Sequence, residues 1–176
     1  MSADAETSLE AEAFSRRLHD STLAALDLFA VYLGDRLGYY RALADDGPAS
    51  PAELADRTGT NERYAREWLE QQAASAILRF DAEGDGGRFS LPAGHAEVLL
   101  DEESLNHSAP LGRAIVGATS QMHALVDAYR TGGGLTWGTF EEDMRESQAA
   151  LNRAFFGKLL AGDYLPSILD VDARLR

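Results

Sequence analysis

Four histidines, His19, His95, His107 and His123, are the side chains of this sequence best suited to proton transfer or metal ligation. None stands at metal-ligand spacing from another, and no carboxylate lies at a characteristic offset from any of them. No Ser/His/Asp arrangement can be picked out either. The sequence therefore predicts no metal site and names no catalytic residue. Cysteine is absent, which excludes disulfides and thiolate metal sites. Arg63 and Arg66 could contact phosphate, but Glu62, Glu67 and Glu70 lie at helical spacing and offer a paired, solvated face instead. "TGGG" at 131–134 could cradle phosphate, yet no strand-like segment precedes it, so it reads as a helix stop and hinge. Directly after it, "WGTFEEDM" places Trp137 and Phe140 beside a flexible run, as the wall of a pocket or as ordinary core.

These residues need elements to position them. Leu18, Ala25, Leu26, Phe29, Ala30 and Leu33 recur at helical spacing and predict a long helix from Glu12 to Leu33, stopped at Gly34. Residues 1–11 are expected to be disordered. Leu37, Tyr40 and Leu43 continue as a shorter helix. Ser50, Pro51 and Glu53 form a capping-box signature for a short helix, with Gly59 as its left-handed stop. Thr60 is the expected cap of the following helix, whose buried stripe is Tyr64, Ala65, Trp68, Leu69 and Ala76. "ILRFDAEGDGGRFSLP" reads as a β-hairpin with Ile77, Phe80 and Phe89 flanking a Gly/Asp-rich turn. A short helix follows in "GHAEVLL". Leu111, Ile115, Ala118, Met122, Leu125, Val126 and Tyr129 then keep helical spacing over one stretch, and Leu151, Phe155, Phe156, Leu159, Leu160 and Leu165 supply further apolar faces. The fold class expected is mostly α: a winged helix-turn-helix with one β-hairpin, plus additional C-terminal helices.

A helix-turn-helix invites a DNA-binding reading, and the charge balance opposes it. The 176 residues carry 29 Asp+Glu against 16 Lys+Arg, a formal net charge of −13. Nucleic-acid affinity comes mostly from Lys and Arg displacing counterions. The wing offers Arg79 and Arg88 against Asp81, Glu83 and Asp85. No signal-peptide pattern opens the sequence, and no apolar run reaches membrane-spanning length. The expectation is a soluble, cytoplasmic protein that binds neither nucleic acid nor membrane.

"GDRLGYYRALADDGPASPAELADRTGTNERYAREWLEQQAASAILRF" resembles the N-terminal winged-helix domain of a bacterial family of S-adenosylmethionine-dependent methyltransferases. "YRTGGGLTWGTF" and "LNRAFFGKLLAGDYLPSI" resemble that family's segments linking the winged helix to the catalytic domain. The resemblance covers residues 12 to 176. It implies a winged-helix region over 12–103 that dimerises and covers the active site, and a helical linker and cap over 104–176 leading to a Rossmann-like catalytic domain. S-adenosylmethionine is implied for the full-length family. No strand-then-glycine loop occurs in this sequence, so no cofactor site is expected within it.

"LNRAFFGKL" is similar to the Phe-Asn-x-x-Phe-x-x-x-Met stretch of plant-type O-methyltransferases. Asn152 and Phe155 match; Leu151 and Leu159 replace Phe and Met, keeping an apolar wall without the aromatic ring and the sulfur. The resemblance implies a substrate-pocket wall of Trp137, Phe140, Asn152, Phe155 and Leu159, each of which core packing would also explain. The apolar residues of the first helix occupy more than one side of it, where a single core needs only one stripe. Leu26, Phe29, Tyr32 and Leu33 are thus the expected homodimer contact. The function expected is a dimerisation and substrate-cap region of a small-molecule methyltransferase, inactive alone. A winged-helix transcription regulator and a stand-alone dimerisation or ligand-binding module are the alternatives.

Overall fold

Ser50 and Glu53 start the helix-turn-helix as their capping box predicts. The Ser50 hydroxyl accepts from the Glu53 N–H at 3.3 Å, and the Ser50 N–H donates to Glu53 Oε2 at 2.8 Å. In the computed structural model, which describes residues 3–82 and 87–175, this box opens helix α3, Pro51–Thr58. Gly59 ends α3 at φ 65°, where a side chain would be strained. Helix α4, Glu62–Ala74, follows. Its cap is Asn61, whose side chain accepts from the Arg63 N–H, in place of the expected Thr60. Thr60 instead accepts from the Tyr39 hydroxyl at 2.9 Å.

Two helices precede this unit. Helix α1 runs Ala3–Arg36 and leads into α2, Tyr39–Asp45. It starts within the stretch expected to be disordered, of which Met1 and Ser2 lie outside the described residues. It also passes through Gly34 without stopping. Gly34 is a point of close approach: a β-carbon there would fall 2.4 Å from Trp68 Cζ2 and 2.6 Å from the Tyr40 ring. Helix interiors disfavour glycine, so contact with the aromatic rings, not termination, explains this one.

Strands β1, Arg79–Asp81, and β2, Arg88–Ser90, pair antiparallel with Phe80 opposite Phe89. An added bridge from Ala49 to Phe89 ties the wing to the start of the helix-turn-helix. The turn from Glu83 to Gly86, including the acidic Glu83 and Asp85, lies outside the described residues. The core is built from Tyr39, Tyr40, Leu43, Leu54, Trp68, Leu69, Leu78 and Phe89. Two members of the expected stripe on α4 are not in it. Tyr64 is 64% exposed, and Ala76 sits beyond the helix end in a turn at φ 56°. Gln72 takes the buried position instead, satisfied by the Tyr40 hydroxyl and by Gln71.

Helix α5, Ala93–Leu100, packs against α2. The stretch read as one helix divides into α6, Pro110–Thr119, and α7, Met122–Thr131, which ends at left-handed Gly132 as expected of the "TGGG" run. A 3₁₀ turn, Trp137–Thr139, precedes α8, Glu142–Ala154. The chain then continues through a π-type segment, Phe155–Tyr164, into short helices α9, Leu165–Ser167, and α10, Leu169–Leu175. Helix α6 lies between α1 and α8, and glycines permit both contacts. A β-carbon at Gly112 would meet the Tyr32 backbone N at 2.9 Å, and one at Gly117 the Met144 backbone N at 2.7 Å. Among the described residues, no helix is long and apolar enough to cross a membrane.

Candidate functional site

A cavity of about 610 Å³ opens between α1 and α4. Leu33, Leu37, Tyr39, Tyr64 and Trp68 give it apolar walls. Its floor is held in place by hydrogen bonds that satisfy the polar groups beneath it. Trp68 Nε1 donates to the Ala30 carbonyl at 2.8 Å, and Gln71 Nε2 and the Ser75 hydroxyl both donate to Asp27 Oδ1, at 2.8 and 2.5 Å. With Glu67 the only charged residue lining it among the described residues, the groove is suited to receiving apolar groups and not to moving protons.

The four residues expected at a dimer contact divide into two sets around α1. Leu26 and Leu33 are about half exposed, at 53% and 48%, and Leu33 lines the groove. Phe29 and Tyr32 are partly covered. Tyr32 is engaged within the chain, its hydroxyl donating to Asp143 Oδ2 at 2.9 Å. Around that bond, Arg36 also pairs with Asp143, Arg113 Nε lies 2.6 Å from Asp35 Oδ2, and Glu146 stands 3.6 Å from both arginines. Burial pushes the Asp143 carboxyl up, but hydrogen bonds from Arg36 and Tyr32 outweigh it and hold the group below the usual carboxylate range. The hydrogen bond to Asp35, opposed by burial, raises Arg113 above its ordinary value. These ion pairs fasten α6 and α8 to the C-terminal end of α1.

The five residues expected to wall a substrate pocket form separate groups. Trp137 and Phe140 pair with ring centres 5.7 Å apart. Phe155 contacts Phe156 at 5.5 Å and Tyr164 at 5.6 Å. Asn152 and Leu159 are half-buried. No ring contact joins the two aromatic groups among the described residues, and none of the five lines the groove between α1 and α4. Sequence reasoning missed Tyr164 as a partner of Phe155. Nine residues are two and a half turns of an α-helix, which puts the pair on opposite sides. The wider π-type turn brings them together, and α-periodicity carries no signal of it.

The remaining sequence candidates are absorbed by local contacts. Arg63 pairs with Glu67 at 3.0 Å and Arg66 with Glu62 at 2.9 Å, on the outer face of α4. Arg88 in the wing pairs with Glu53 at 2.5 Å. His95 Nδ1 lies 2.8 Å from the Ile77 carbonyl, and His19 and His123 are exposed. Among the described residues, no group of three His, Cys, Asp or Glu side chains is placed to hold a metal.

Residues 24–100 match the family model of the Rv2258c-like winged HTH domain. No curated protein sequence matches the chain. Among solved structures it is similar to the mitomycin 7-O-methyltransferase MmcR, with 23% identity and a TM-score of 0.62, over 85% of this chain and 46% of that one. It is similar to human N-acetylserotonin methyltransferase, solved with SAM, at 16% identity and TM-score 0.57, over 80% and 44%. A third likeness is to the N,N-8-amino-8-demethyl-D-riboflavin dimethyltransferase RosA from Streptomyces davawensis, at 21% and 0.53, over 86% and 48%. At these identities the likeness is one of fold. The chain spans about half the length of each of these structures.

Proposed function

We propose that this chain is the N-terminal dimerisation and substrate-cap region of an S-adenosylmethionine-dependent methyltransferase acting on a small molecule, working as a cytoplasmic homodimer. The observation that carries the reading is the extent of the structural likeness. It takes in 80% or more of this chain, against the N-terminal part of three methyltransferases. A generic winged helix would match only the central segment.

This reading assigns the cofactor cradle to the catalytic domain. Dinucleotide-type and methyl-donor loops follow a buried parallel strand into a helix. The sheet here is a two-stranded antiparallel hairpin of three-residue strands. The chain's own contribution is therefore positional. The α1–α4 groove and the exposed Leu26 and Leu33 would receive a second copy. Trp137, Phe140, Asn152, Phe155 and Leu159, in the stretch between α7 and α9, would face substrate and exclude water from it. Positioning of this kind is a large part of what an enzyme contributes to a bimolecular transfer.

The reading frame after codon 176 tests the proposal. A continuing frame with an apolar strand, a glycine loop and a helix, whose longer product transfers a labelled methyl group to small-molecule acceptors, is the expected result. A frame that continues into an unrelated fold, or a full-length product without such transfer, would overturn it.

A further inference from the structure

A second kind of cavity lies where α1, α2, α5 and α6 meet. It measures about 240 Å³, and its charged lining is Asp35, Arg41, Glu102 and Arg113, with His107 beside them. Three of the four charges are engaged. Arg113 pairs with Asp35 at 2.6 Å, and Glu102 faces Arg153 at 3.6 Å. Arg41 is exposed, and its guanidinium has no partner among the described residues. His107 Nδ1 is buried without a hydrogen-bond partner. A buried ring nitrogen left unpaired is costly, and few native polar atoms stay so.

We propose that this cavity binds a small carboxylate. The fork of Arg41 suits a carboxylate's two oxygens, and His107 in its Nδ1–H tautomer supplies a third donor. The neighbouring Asp35 and Glu102 set an upper limit on the ligand's charge. They are compatible with a monoanion beside Arg41 and repel a dianion such as phosphate. The volume equals that of about eight waters at ~30 Å³ each, room for a carboxylate on a short carbon body. Such a ligand would join α2, which carries Arg41, to the segment before α6, which carries His107. It would thereby tie the winged helix to the helices that follow. This site is separate from the α1–α4 groove and from the pocket-wall residues, so it stands or falls independently of the methyltransferase reading.

The test is a titration of the 176-residue chain with sodium acetate and sodium propionate, followed through the His107 ring resonances by NMR. Sodium chloride at matched ionic strength is the control, and inorganic phosphate at about pH 8, mostly a dianion, is the second arm. The expected result is a saturable His107 shift with carboxylate, at least tenfold weaker in Arg41→Gln. Arg130→Gln, which alters a surface arginine outside the cavity, should leave it unchanged. Because Arg41 is exposed and unpaired, its replacement should not disturb folding, which circular dichroism would verify. A shift no larger than with chloride, an unchanged affinity in Arg41→Gln, or phosphate binding as tight as acetate would each overturn the proposal.

Discussion

Trp68 on α4 closes over Gly34 on α1, with its indole N–H donating to the carbonyl of Ala30 one turn earlier. The contact sets the spacing of the two helices that border the apolar groove. It also makes Gly34 irreplaceable in a way its helical position alone would not. Alanine in a helix interior is ordinarily favoured over glycine by up to about 1 kcal/mol. Here the added methyl would strike two buried aromatic rings. Overpacking of that kind typically costs ~1–3 kcal/mol, enough to exceed the helical gain. Urea unfolding should show Gly34→Ala destabilised, whereas Gly157→Ala, with open space around it, should be neutral or stabilising. A Gly34→Ala protein as stable as the wild type would show that the rings shift freely.

The exposed side of α1 should mediate self-association. Leu26→Glu and Leu33→Glu change half-exposed residues without touching the Tyr32–Asp143 bond, so they isolate the surface from the fold. Large apolar patches are seldom left in water. Light scattering at tens of micromolar is expected to give a dimer for the wild type and a monomer near 19.1 kDa for the double variant. A monodisperse wild-type monomer would refute the dimer.

Acid should loosen α8 from α1 through Asp143. Its folded pKa lies below its unfolded one, so the ionised carboxylate contributes stability that is complete above about pH 4. That contribution disappears as pH falls through the lower folded value. Between roughly pH 5 and 2, wild-type stability in urea should fall more steeply than that of Asp143→Asn. Parallel acid limbs for the two proteins would show that the pair with Arg36 adds nothing.

Duplex DNA should not be bound specifically. The arginines on the outer face of α4 are paired with Glu62 and Glu67, and Arg88 in the wing with Glu53. Uniform loss of any mobility shift at physiological salt is expected across selected sequences, and a surviving sequence-specific shift would favour a regulator.

The local grammar of the helix-turn-helix was legible because its signals are short-range. Ser50, Pro51, Glu53 and Gly59 act within a single turn of chain, and the structure uses each of them as its residue type predicts. The break between α6 and α7 was not legible, since Ile115, Ala118, Met122 and Leu125 keep one period across it. The pocket-wall residues were readable as apolar and aromatic, but their grouping was not. Tyr164 reaches Phe155 only because the backbone between them abandons α-spacing.

By itself, then, the sequence determined the winged helix, its hairpin, the long first helix and an acid balance that opposes DNA. All of these rest on periodicity, caps, turn residues and charge, which act between near neighbours. Tertiary structure decided which side of each helix was covered. Gly34 became a contact instead of a stop, Tyr64 was turned out to the groove while Gln72 went in, and Tyr32 was drawn toward Asp143. Those outcomes depend on residues from 32 to 111 positions away, at Trp68, Tyr40 and Asp143, and on the angle at which helices cross. Local spacing cannot encode that angle, because side chains from two segments set it together.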